Sequence, residues 1–74
     1  MEFTGQTDSY GRLFVDYSVL NKYVLSALSS ENGEVASWVR LSGNKLCFQL
    51  QVSSTHAYAA NVTRTVTCII YSTT

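Results

Sequence analysis

Apolar and polar residues alternate along most of this chain with the two-residue period of a β-strand. The sharpest stretch is 35–52, VASWVRLSGNKLCFQLQV, where two alternating runs meet at Gly43 and Asn44. A tight hairpin turn centred on that pair places Leu41 opposite Leu46, Val39 opposite Phe48 and Val35 opposite Val52. One face is then apolar on both strands, and the other carries Trp38, Arg40, Cys47, Gln49 and Gln51.

Further strands follow from the same period. Leu13, Val15, Tyr17 and Val19 alternate with Phe14, Asp16 and Ser18. Residues 23–28 are expected as a strand on their neighbours and β-branched content, against a helical alternative that would align Val19, Tyr23 and Ala27 with Leu20, Val24 and Leu28. Asn32 and Gly33 mark another hairpin. A two-residue turn there sets Glu31 against Glu34, whereas a one-residue shift pairs Ala27 with Ser37, Leu25 with Val39 and Tyr23 with Leu41. The shifted register makes the better core, so a longer loop with a bulge at Gly33 is expected. The last strand, 62–71, alternates Val62, Arg64, Val66, Cys68 and Ile70 against a threonine-rich side.

Residues 1–11 form a lead-in with room for a short edge strand near Phe3, and 53–61, SSTHAYAAN, form an irregular loop. The expected architecture is all-β: one domain over 12–74, a small antiparallel sandwich or open barrel of five to six strands.

Size sharpens this picture. A chain of 74 residues buries only about 60% of the surface its unfolded form exposes, so a staple or a partner chain is expected. His56 is the single histidine and the two cysteines, Cys47 and Cys68, stand apart, which disfavours a metal. Strand phase puts Cys47 on a polar side and Cys68 on an inward side, so two free thiols are expected. Association of identical chains remains as the source of buried area.

Five basic and five acidic side chains are scattered singly, leaving no basic stripe for nucleic acid. No apolar run suits a membrane-spanning helix, and MEFTGQTDSYG lacks the charged and hydrophobic regions of a signal peptide, so a soluble chain with no membrane insertion is expected.

Catalytic chemistry finds no foothold. Ser53, Ser54 and Thr55 precede His56, but adjacency in a loop is not an oriented nucleophile and base. Glu31 and Glu34 flank a turn, Asp8 and Asp16 lack acidic neighbours, and no glycine-rich phosphate loop occurs. Neither an enzyme nor a cofactor is expected. Trp38 stands out instead. With Arg40, Gln49 and Gln51 it has the composition of an interface core; cover by a second sheet and stacking on a sugar are the alternatives. His56, Tyr58 and Asn61 form a candidate ligand loop, in which the tyrosine either meets a glycan or packs over the barrel end. The triplet Asn61-Val62-Thr63 matches a glycosylation acceptor but lacks a secretion signal beside it.

The layout TGQTDSYGRLFVDYS, then KYVLSA, a middle hairpin and a closing ANVTRTVTCIIYSTT resembles the small C-terminal β-modules of phage tail fibres and baseplate receptor-binding proteins, some of them similar to the H-type lectin sandwich. The resemblance runs from Thr4 to Thr74 and is one of layout, without a signature motif; the Met1 start departs from a fibre tip that follows a long stalk. It implies a homotrimeric adhesion module of a virion or prophage-encoded tail, contacting a host-surface glycan or protein, with no catalytic residues. A monomeric carbohydrate-binding module and a small inhibitor or partner-binding protein acting through the 54–61 loop are the other expectations.

Overall fold

A computed structural model describes residues 1–73, and they are all β. The strands are β1 (Glu2–Gln6), β2 (Arg12–Ser18), β3 (Lys22–Ser29), β4 (Glu34–Leu41), β5 (Lys45–Val52) and β6 (Thr63–Ser72). All neighbours are antiparallel, in the order β1-β6-β3-β4-β5-β2, and the sheet curls into a nearly closed barrel. Its two edges meet without a ladder: a Cβ added to Gly5 on β1 would lie 2.7 Å from Leu13 Cδ1 on β2. The strand expectation for 23–28 holds over the helical one.

The inner face follows the alternation of most strands. Leu13, Val24, Leu46, Phe48, Leu50, Val66 and Cys68 form the buried core with Val19 and Ala59 from the turns and loops. Phe3 closes it from β1, its ring 5.4 Å from that of Tyr17 and 6.1 Å from that of Phe48. Threonines and other outward residues of β6 face away, as their phase requires.

The β4–β5 register departs from expectation by one residue. Leu41 pairs with Lys45, Arg40 with Leu46, Val39 with Cys47 and Trp38 with Phe48, so the loop is Ser42, Gly43 and Asn44 rather than a two-residue turn. Gly43 and Asn44 do both adopt positive φ, 78° and 62°, which favours glycine and asparagine. The extra loop residue is used: Asn44 O accepts a 2.7 Å hydrogen bond from Val19 N, tying this loop to the β2–β3 turn. A slip of one residue exchanges the faces of β4. Trp38 and Ala36 therefore pack toward the core, while Val35 and Val39 are exposed.

The β3–β4 hairpin also takes a different register. Leu28 pairs with Val35, and the loop is Ser30 to Gly33. The loop is longer than two residues, as expected, and Gly33 has φ 82° in a turn closed by Glu34 N to Glu31 O. The bulge lies elsewhere, at Leu25, where the β3–β6 register shifts between Val24 and Ser26. Pairing with β6 along nearly all of β3 decides this strand's position, and the hairpin partner adapts to it.

The 53–61 segment is tied to the barrel through its backbone. Val52 N donates to Ala57 O, Ala59 N to Leu50 O and Asn61 N to Asp8 O. Thr7, buried, donates its hydroxyl to Ala59 O and accepts from Val62 N. No helix long and apolar enough to cross a membrane occurs among the described residues.

Candidate functional site

The outer face of β2, β5 and β4 is the surface with the most varied chemistry. Across it run rows of neighbours set by the ladders: Arg12, Gln49 and Ser37; then Phe14, Cys47 and Val39. A third row joins Tyr58 to Gln51 through an isolated bridge and Gln51 to Val35 through the ladder. The face is thus striped: Arg12 and Phe14 along β2 with Tyr10 in the turn before it, the amides of Gln49 and Gln51 along β5, and Val35, Ser37 and Val39 along β4.

The β2 stripe is pre-ordered. Asp8 accepts from the backbone N–H of Tyr10 at 2.8 Å and of Arg12 at 2.9 Å, and its second oxygen holds Arg12 Nε at 3.0 Å. The Arg12 guanidinium lies 5.0 Å from the Tyr10 ring centroid and 5.5 Å from that of Phe14. Tyr58 meets Tyr10 edge to face at 6.0 Å. Such contacts fix ring orientation as well as adding modest energy. Hydrogen bonding from the Arg12 backbone, opposed by partial burial and helped by the Tyr10 backbone and the guanidinium, holds the Asp8 carboxyl below its ordinary range. Tyr10, Phe14 and Tyr58 each remain about half exposed.

The residues singled out in the sequence separate across the barrel wall. Gln49 and Gln51 do lie on this outer face, half-buried, with Gln49 Nε2 donating to Tyr10 O at 3.1 Å. Tyr58 joins them. Trp38 does not: it is half-buried and packs on the core, because the three-residue loop turns it inward. Arg40 shares the phase of Trp38 and is exposed at the strand end, its guanidinium donating to Lys22 O at 2.8 Å and lying 6.0 Å from the Tyr23 ring. The expected cluster of Trp38 and Arg40 with the two glutamines is therefore corrected. His56 and Asn61 are exposed at positive φ, 60° and 56°, where their backbones serve the turns.

Sequence reasoning passed over Tyr10, Arg12 and Phe14, although their spacing of two residues carries the signal. Arg12 and Phe14 share one side of a strand whose other side holds Leu13, Val15 and Tyr17, and Tyr10 stands in the turn just before it.

Other charged and reactive groups serve the fold. Glu34, its side chain 5% exposed, sits on Arg64 at 3.1 Å and accepts from Ser29 Oγ at 2.8 Å. Cys47 and Cys68 are free and buried. They lie on opposite sides of the sheet, on strands separated by β3 and β4, and burial pushes both thiols up. No group of three or more His, Cys, Asp or Glu capable of holding a metal occurs among the described residues. No known family, no curated protein and no solved structure matches this chain.

Proposed function

We propose that this chain is a non-enzymatic recognition module whose outer face on β2 and β5 binds a surface glycan, in the manner of the host-recognition modules that its layout resembles. The observation that carries this is the ordered ridge Tyr58, Tyr10, Arg12 and Phe14 beside the neutral amides of Gln49 and Gln51. A pyranose presents an apolar C–H face suited to an aromatic ring and hydroxyls suited to fixed amide, carboxylate and guanidinium groups. Order already imposed by Asp8 lowers the entropy lost on binding. The Asp8–Arg12 ion pair leaves the ridge near neutral, which suits an uncharged sugar.

A glycan array probed with the wild-type chain and with Tyr10→Ala and Tyr58→Ala tests the assignment. Saturable binding to defined glycans, weakened at least tenfold by each substitution, supports it. Binding unchanged in both variants, or no glycan bound, overturns it.

A second surface supports self-association into the homotrimer that the resemblance implies. Leu25, Leu28 and Ile69 are 66%, 65% and 60% exposed on the outer side of β3 and β6, and Val35 lies directly opposite Leu28. Exposed aliphatic groups so closely set mark contact surfaces more often than open solvent. Sedimentation of the wild type against Leu28→Lys decides it: a trimer that dissociates on substitution supports the reading, and a monomeric wild type at micromolar concentration removes it.

A further inference from the structure

At the end of the barrel away from the aromatic ridge lies a cavity of about 350 Å³, lined by Met1, Tyr17, Lys22, Cys68, Ile69 and Ile70 together with Ser72. Its size falls at the lower end of the range for small-molecule pockets. The walls are mostly apolar, and among the described residues no acidic side chain lines them. Lys22 Nζ donates to Tyr17 OH at 3.1 Å and stands 4.8 Å from the same ring. An ammonium has three protons to give, and this contact uses one. The phenol, accepting from Lys22, keeps its own proton for a further acceptor.

Charge is distributed to match. Arg12 pairs with Asp8, Lys45 with Asp16, and Arg64 with Glu34 and Glu31. Among the described residues Lys22 and Arg40 are the two basic side chains with no carboxylate at ion-pair distance, and the Arg40 guanidinium is bound to the Lys22 carbonyl. Lys22 thus brings into the cavity wall a side-chain cation with no carboxylate at ion-pair distance among the described residues, and the Met1 ammonium, which donates to Cys68 O at 3.0 Å, lies on the same wall. That field favours an anion, and low-dielectric walls strengthen it.

We infer that this cavity binds a small amphipathic carboxylate, its headgroup on Lys22 Nζ and Tyr17 OH and its apolar body against Met1 and Ile70. The Lys22 ammonium and the Tyr17 phenol offer two neighbouring donors, the complement of a two-oxygen carboxylate headgroup. Inorganic phosphate has no apolar body to meet the walls. The site is independent of the glycan face.

Titration of the isotope-labelled chain with octanoate, octanol and inorganic phosphate, followed by amide chemical shifts, tests this. Octanoate is expected to give saturable shifts at Tyr17, Lys22 and 68–71, with Tyr10 and Tyr58 unmoved. Lys22→Met, which keeps the aliphatic stem, is expected to weaken octanoate at least tenfold while leaving octanol unchanged. Tyr17→Phe, removing one oxygen, is expected to weaken it severalfold, and Lys22→Arg to retain binding. Non-saturable or scattered shifts, equal octanoate affinity in wild type and Lys22→Met, or phosphate binding as tightly as octanoate would each overturn the assignment.

Discussion

Trp38 and Phe48 face each other directly across the β4–β5 ladder on the inner side of the barrel, while Val39, the next residue along, lies outside opposite Cys47. The Trp38 side chain is half-buried and packs against the core from this position, removing apolar surface from water. Trp38→Ala is expected to destabilise the fold by about 2–4 kcal/mol, somewhat below a fully buried tryptophan because the ring is half-buried. Val39→Thr is expected to stay within about 0.5 kcal/mol. Urea unfolding of the two variants reads the register: a costly Val39→Thr beside a harmless Trp38→Ala reports the other face inward.

Two glycines with positive φ separate backbone strain from crowding. Gly11 has φ 72°, and a Cβ there would lie 2.5 Å from Leu50 O and 3.1 Å from Ala59 N; Gly33 has φ 82° with nothing within 4 Å. Gly33→Ala carries the left-handed cost alone, about 1 kcal/mol. Gly11→Ala adds a clash with backbone that is itself hydrogen-bonded, and about 3 kcal/mol or more is expected. Thermal or urea unfolding ranks them, and equal losses contradict the close approach at Gly11.

Glu34 and Arg64 make stability depend on acid. Burial alone would raise the Glu34 carboxyl, but hydrogen bonds from Arg64 and Ser29 and the guanidinium charge outweigh it and hold the group below its ordinary value of 4.5. The folded form thus binds a proton less readily than the unfolded form. The contribution is complete above the unfolded value and lost as pH falls through the lowered folded one. Stability of the wild type is expected to drop across that acid range, and Glu34→Gln to flatten this part of the profile, at a cost of about 1–3 kcal/mol near neutral pH. Unfolding curves between pH 2 and pH 7 on the approximate scale of carboxylate titration check it.

Cys47 and Cys68 are expected to resist alkylation at neutral pH. Each is buried, and desolvation raises each thiol above its ordinary range, so little thiolate forms and little of it is reachable. Mass spectrometry after brief treatment with a small thiol reagent should show an unmodified native chain and two modifications in denaturant. Rapid native labelling contradicts the burial.

The β-character, the strand positions and the inward sets of β2, β5 and β6 were legible because alternation was clean there: Leu13, Val15 and Tyr17; Leu46, Phe48 and Leu50; Val66 and Cys68. On β4 it was ambiguous. Val35, Val39 and Leu41 make as plausible an inner set as Ala36 and Trp38, and the pattern contains no term for which set fits the space left by Phe3, Phe48 and Tyr17. Arg12 and Phe14 were visible as one side of a strand, yet the place of Tyr10 depended on the turn at Gly11, and its meeting with Tyr58 required the 53–61 segment to fold back over β5.

Taken alone, the order of residues determined that the chain forms antiparallel strands and, within each strand, which side chains travel together. The tertiary structure decided how the strands slide against one another and which side of β4 turns inward. Period-two alternation constrains a strand against its own surroundings but is silent about its offset from a neighbour. That offset was settled by contacts distant in sequence: the hydrogen bond from Val19 to Asn44, the pairing of β3 with β6, and the core against which Trp38 packs.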